Sequence, residues 1–224
     1  MQSPQWNYYL GFYTNGLRDI DNKLIFDDIT NAYKKSGFED LDTLLSSPES
    51  EKNGPRVKVE SSMSGVNMWF GSEFIFIPLR LEQPKSLSKE TIVKNLDSIL
   101  KNSSIVGKLQ ARSLQVHISG EGSIEESDIL SSSNSDLKSL TQGKKDTFAF
   151  ETSGPSGEGE SGEIRHKIEI KKEDADQYSY EIESVLDIAA ESGQSVDQLP
   201  SLISNIDMKA QKNELWESAE QLIR

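Results

Sequence analysis

Asp19 and Asp21 flank Ile20, and Asp27-Asp28 lie close behind, so four carboxylates could converge on a hard divalent cation or share the acid–base work of a hydrolase. Their context points elsewhere. No glycine stands where an EF-hand loop must turn, and Asp21 sits where the next helix needs an N-cap. Glu125-Glu126-Ser127-Asp128 and Glu173-Asp174-Ala175-Asp176 read likewise as turn residues and helix starts.

The two histidines offer less. His117 falls on the opposite parity to Val116 and Ile118 and is expected in solvent, whereas His166 shares the parity of Ile164, Ile168 and Ile170, the setting of a hydrogen-bonded core histidine. The chain has no Cys, which removes disulfide scaffolds, thiolate zinc sites, iron–sulfur clusters and thiol nucleophiles; neither G-x-S-x-G nor H-E-x-x-H occurs. Gly157-Glu158-Gly159-Glu160-Ser161-Gly162 matches the dinucleotide pattern G-x-G-x-x-G. The residues from Ile164 to Ile170 alternate as a strand instead of opening a helix, and the two glutamates would repel a pyrophosphate. No catalytic residue, metal ligand or cofactor emerges from these patterns.

Aromatic residues are the more informative set. Tyr9, Tyr13, Trp69 and Phe70 stand on expected strands, where exposed rings could stack on bases as they do in RNA-recognition modules. Charge argues against nucleic acid: 24 Lys and Arg against 37 Asp and Glu give −13, and Glu73 stands where a basic residue would help. Trp6, Tyr8, Tyr9, Tyr13 and Trp69 together exceed what two short helices would cover, which points to a protein-binding surface. Trp216 shares a helical stripe with Ala219 and Ile223 and is a second docking candidate. The expected partner-binding residues are therefore Tyr9, Tyr13, Trp69 and Trp216.

The elements that must hold these residues are outlined by periodicity. Trp6, Tyr8, Leu10 and Phe12 alternate with Asn7, Tyr9, Gly11 and Tyr13 as a strand. Asp21 then caps a helix with Ile25, Ile29, Ala32 and Tyr33 on one stripe, and Lys34-Lys35-Ser36-Gly37 suits its end. Phe38 to Leu45 reads as a short helical turn and Ser46 to Pro55 as a mobile loop. Arg56 to Met63 is a second strand and Val66 to Leu81 a third, central because Phe74 to Ile77 is apolar on both parities, with a bulge or unpaired position at Pro78. Ser88 caps a helix with Ile92, Val93, Leu96, Ile99 and Leu100 on one face, and Leu109 to Ser119 is a fourth strand, bulged near Arg112-Ser113.

Gly120 to Lys145 is polar, with helical turns expected around Ile124 to Leu130 and Asp136 to Leu140. Thr147 to Thr152 and Ile164 to Lys172 form a hairpin with a flexible tip over Ser153 to Glu163, and Tyr178 to Ile188 is the last strand. Ser195-x-x-Gln198 has the form of a capping box, although Pro200 favours Asp197 as the true cap. Leu199, Leu202, Ile203 and Ile206, then Leu215, Trp216, Ala219, Leu222 and Ile223, describe one long helix or two in succession.

The fold class is accordingly α+β: a ferredoxin-like β-α-β-β-α-β first half, then antiparallel strands and a C-terminal helix. Residues 1–120 form the ferredoxin-like unit, 121–145 a connector, and 146–224 a region that can share one continuous domain with the first. At 25.0 kDa the chain can bury a sizeable core, while a mean hydropathy of −0.56 implies long polar connections. No stretch approaches the ~18 apolar residues of a membrane span and Met1 to Thr14 lack the pattern of a leader, so a cytoplasmic protein is expected. The expected function is a non-catalytic protein-binding or assembly module, with a protein partner or a homo-oligomer. The rival is a carboxylate- or metal-dependent hydrolase using Asp19, Asp21, Asp27 or Asp28.

Overall fold

The computed structural model describes residues 3–45, 55–81, 86–143, 145–155, 162–174 and 177–223. Its strands are β1 (Gln5–Thr14), β2 (Leu41–Leu45), β3 (Val57–Ser61), β4 (Asn67–Phe70), β5 (Phe74–Leu79), β6 (Ala111–Glu125), β7 (Thr147–Pro155), β8 (Gly162–Asp174) and β9 (Gln177–Ala189). They form one antiparallel sheet in the order β2-β3-β4-β5-β1-β6-β9-β8-β7. The helices are α1 (Asn22–Lys35), α2 (Lys89–Asn102), α3 (Glu126–Ser131), α4 (Ser135–Lys138), α5 (Pro200–Ser204) and α6 (Met208–Ile223). The chain divides into two compact units, a larger one of Tyr8–Val116 with Asp187–Ile206 and a smaller one of Met1–Asn7, His117–Leu186 and Asp207–Arg224.

In the larger unit the helices form as their stripes and caps dictate. Asp21 accepts a hydrogen bond from Lys23 N at 2.8 Å, and Ile25, Ile29, Ala32 and Tyr33 of α1 are fully buried. Ser88 Oγ accepts from Thr91 N at 3.3 Å, and Leu96, Ile99 and Leu100 of α2 are buried. The buried phenol of Tyr33 donates to Val66 O at 2.9 Å; burial, reinforced by Glu60 and Asp40, pushes its pKa well above the ordinary tyrosine value. Ala111 and Leu114 are both buried, so β6 changes parity between them, near the position expected from the sequence.

Two readings of this region need correction. Phe38 to Leu45 yields no helical turn; Leu41–Leu45 is β2, which pairs antiparallel with β3 from Leu41↔Ser61 to Leu45↔Val57. The run from Val66 to Leu81 is a hairpin of two strands, closed where Gly71 N donates to Phe74 O at 2.9 Å. The first half therefore runs β-α-β-β-β-β-α-β, two strands more than the expected ferredoxin-like β-α-β-β-α-β. β5 pairs with β1 antiparallel, from Tyr8↔Leu79 to Tyr13↔Phe74, so the strands after α1 run as a meander that ends beside β1. Pro78 lies inside this ladder opposite Tyr9; the β4 side pairs at Trp69↔Phe76 and Phe70↔Ile75. Residues 46–54 of the expected loop, residues 156–161 of the hairpin tip with most of the G-x-G-x-x-G match, and Ala175-Asp176 lie outside the described residues.

Two buried charges staple the larger unit. Asp28, on α1, accepts hydrogen bonds from Ser104 N and Ser104 Oγ, both at 2.8 Å, from Val106 N at 3.1 Å, from Ile105 N at 3.2 Å and from Ser103 Oγ. Burial pushes its carboxyl pKa up, but the bonds from Ser103, Val106 and Ser104 outweigh that and hold it below the ordinary 3.8. Beside this junction Gly107 has no room for a side chain: an added Cβ would lie 2.1 Å from Leu100 O. Arg56, 8% exposed, donates Nε to Gly71 O at 2.9 Å, Nη1 to Ile20 O at 3.1 Å and Asn22 Oδ1 at 3.2 Å, and Nη2 to Leu17 O, tying the approach to α1 to the β4–β5 turn. Further along, the capping box of Ser195 and Gln198 forms on a short 3-10 turn, Pro200 opens α5 as its first residue, and Asp197 pairs with Lys108.

The smaller unit packs α3, α4 and α6 with strands β6 to β9. Ile124, Ile129, Leu137, Leu140, Phe148, Ile168, Ile170, Tyr178, Tyr180, Ile182, Leu215 and Ala219 form its core, so the polar stretch after Gly120 contributes apolar residues to packing as well as connecting elements. The last two apolar stripes are separate helices. Asp207 Oδ1 accepts from Lys209 N at 3.1 Å and Ala210 N at 3.0 Å, giving α6 a fresh start.

Asp28→Asn should lower stability by about 2–3 kcal/mol, because it removes the charge that the converging donors stabilise. In the wild type the folded pKa lies below the unfolded one, so this contribution is present above pH 3.8 and is lost as pH falls through the folded value. Urea unfolding from neutral to acid pH checks both points: Asp28→Asn should lie below wild type at neutral pH and converge with it in acid. Gly107→Ala should cost about 1–3 kcal/mol in the same assay.

Candidate functional site

Alternation along β1, β4 and β5 sorts their side chains into two sets. Leu10, Phe12, Met68, Phe70, Ile75 and Ile77 are fully buried. Tyr9, Tyr13, Trp69 and Phe76, on the opposite parity, are half-buried, and Phe74 is 39% exposed. Three of the four residues expected to bind a partner, Tyr9, Tyr13 and Trp69, thus share one face of the sheet, while Phe70 and Tyr8 belong to the core.

The register brings the rings of that face together. Trp69 is paired with Phe76 and Tyr13 with Phe74, while Phe76 also stands opposite Gly11. Phe76 is the hinge of the set: its centroid lies 4.7 Å from Tyr9 at 37° and 5.3 Å from Trp69 at 26°. Tyr13 meets Phe74 at 5.9 Å and 39°. Such pairs contribute about 0.5–1.5 kcal/mol each beyond burial. A charged fringe fixes Trp69 from β3: Lys58 Nζ stands 4.9 Å from its ring centroid, Trp69 Nε1 donates to Glu60 Oε1 at 3.1 Å, and Lys58 Nζ lies 3.2 Å from the same oxygen. The sequence reading missed Phe74, Phe76, Lys58 and Glu60. The run Phe74-Ile75-Phe76-Ile77, apolar on both parities, was the available signal for the two phenylalanines.

Trp216 is placed differently. Its ring meets Trp6 edge-on at 6.4 Å and Tyr180 at 6.3 Å, and it packs against the core of the smaller unit. Lys212, on the same helix as Trp216, places its Nζ 5.7 Å from the Trp6 ring. The stripe shared with Ala219 and Ile223 is therefore spent on the chain's own core.

The acidic residues from Asp19 to Asp28 do not converge. Asp28 is occupied by its five donors, Asp21 caps α1, and Asp19 and Asp27 are exposed. Among the described residues no group of three or more His, Cys, Asp or Glu side chains could hold a metal ion.

Both histidines depart from expectation. His117 is not free in solvent: its side chain is 18% exposed and Nδ1 lies 3.3 Å from Glu183 Oε1. His166 does take the apolar parity, but its buried Nδ1 has no hydrogen-bond partner. Burial lowers its pKa below the ordinary 6.5, against a smaller upward pull from Glu214. Folding thus favours neutral His166, so its contribution to stability is complete above pH 6.5 and is lost as pH falls from there through the folded pKa. Denaturation midpoints measured from about pH 8 to about pH 5 should fall across that window, and His166→Gln should flatten the decline.

No protein-family model, curated protein or solved structure matches the chain.

Proposed function

We propose that the chain is a non-catalytic protein-binding module whose contact surface is the ring set Tyr9, Phe76 and Trp69, extended by Tyr13 and Phe74. The observation that carries this reading is the sorting of β1, β4 and β5 into a fully buried side and a partly exposed aromatic side. Contiguous partly exposed rings are costly to leave in water and are the side chains most enriched where protein surfaces bind. Lys58 and Glu60 supply the polar rim that such a surface needs. A net charge of −13 favours a protein partner, or a further copy of the chain, over a nucleic acid. The reading includes a cytoplasmic setting and requires no cofactor.

The test uses the intact chain as bait in a nuclease-treated lysate of its source, beside a Tyr9→Ala/Trp69→Ala double variant. Both positions are half-exposed, so the variant should keep the wild-type circular dichroism spectrum. A near-stoichiometric protein retained by wild type and reduced at least about 30-fold by the folded variant is the expected result. Equal retention by both would dismiss the surface.

A further inference from the structure

The outer strand of the hairpin, β7, is the least guarded element of the smaller unit. It ends the strand order and pairs with β8 over nine consecutive positions, from Thr147↔Lys171 to Pro155↔Glu163. A terminal strand presents a row of N–H and C=O groups that another strand can pair, and proteins ordinarily blunt such an edge with charged side chains, an interior proline, a bulge or shortness. Of these, β7 has only one charged side chain, Glu151. Its register skips no residue, and its proline stands at its end. At the other end of the order, β2 is five residues long. All residues of β7 except Phe148 and Gly154 are exposed, with Phe150 at 40%, and an added Cβ on Gly154 would meet nothing within 4 Å.

We propose that β7 pairs antiparallel with β7 of a second copy of this chain, about a two-fold axis at Phe150. The sequence of the strand selects both occupant and register. A two-fold axis perpendicular to the strand makes the two copies antiparallel. An axis at Glu151 would set two carboxylates face to face in a chain already at −13. One residue earlier the conflict disappears: Phe150 meets its own copy, Phe148 lies opposite Thr152, and Glu151 lies opposite Ala149. Phe148 and Phe150 stand on the same side of β7, paired with Ile170 and Ile168 of the core, so the Phe150 pair carries that core across the axis. This surface is separate from the aromatic face of the larger unit and does not depend on it.

Light scattering over about 1–200 µM should give twice 25.0 kDa for the wild-type chain at the upper end, and Phe150→Lys should raise the dissociation constant at least about 30-fold. The absence of native Cys allows the register to be read directly. Under mild oxidation Phe150→Cys should form a covalent dimer, because its sulfur faces its own copy, whereas Thr147→Cys, opposite Ser153 of the second copy, should not. A monomer at every concentration, a dimer that Phe150→Lys leaves unchanged, or equal cross-linking at both positions would overturn the proposal.

Discussion

A carboxylate taken out of water must find hydrogen-bond donors for both its oxygens, and Asp28 finds them at a single place, the residues from Ser103 to Val106 that leave α2. That requirement locks the middle of α1 to the end of α2. With the two helices fixed to each other, their apolar stripes can be covered together, and Leu10, Phe12, Val57, Val59, Met68, Phe70, Ile75 and Ile77 are among the fully buried strand residues of this unit. Arg56 plays the complementary part with the opposite charge, drawing carbonyls from the approach to α1 and from the β4–β5 turn around one guanidinium. Both staples join segments remote in sequence, and both use polar chemistry to align elements whose burial is hydrophobic.

The aromatic face is the counterpart of that arrangement. In a strand, every residue committed to the core leaves a neighbour committed to the other side. On that side the chain has large rings where short polar residues would be the less costly choice. Tyr9, Phe76 and Trp69 reduce the cost by packing on one another, and Lys58 sets its ammonium over the indole while pairing with Glu60. The result is a surface that is stable in the free chain yet still carries apolar area.

Much of the fold was legible because local rules decided it. The stripes of α1 and α2, their Asp21 and Ser88 caps, the Ser195 box and the alternation of β1 all depend on residues within one turn or one strand of each other. Phe38 to Leu45 was misread because Leu41-Asp42-Thr43-Leu44-Leu45 is too short for a period to show, and its pairing with β3 is a tertiary choice. The hairpin hidden between Val66 and Leu81 turns at Gly71-Ser72-Glu73, a weak signal inside a long apolar run. The roles of Asp28 and Arg56 were illegible for a different reason. Their partners are mostly backbone groups, which every sequence possesses, and only the folded chain says which of them converge. Trp216 shows the reverse: its stripe was legible, but the same stripe serves a partner or a core, and Trp6 and Tyr180 decide for the core.

The division of the chain has a bearing on its biosynthesis. Neither compact unit is a continuous stretch: the larger requires residues 187–206 and the smaller requires residues 207–223, although each also contains part of β1. A ribosome delivers β1 well before these segments. The strands of the larger unit can therefore zip early around β1, yet its edge from Asp187 to Ile206 stays open until the next segment has emerged, and α6 cannot close the smaller core before then. The two units thus complete almost together, and the strands made earlier must hold their apolar side chains through that interval without their final cover.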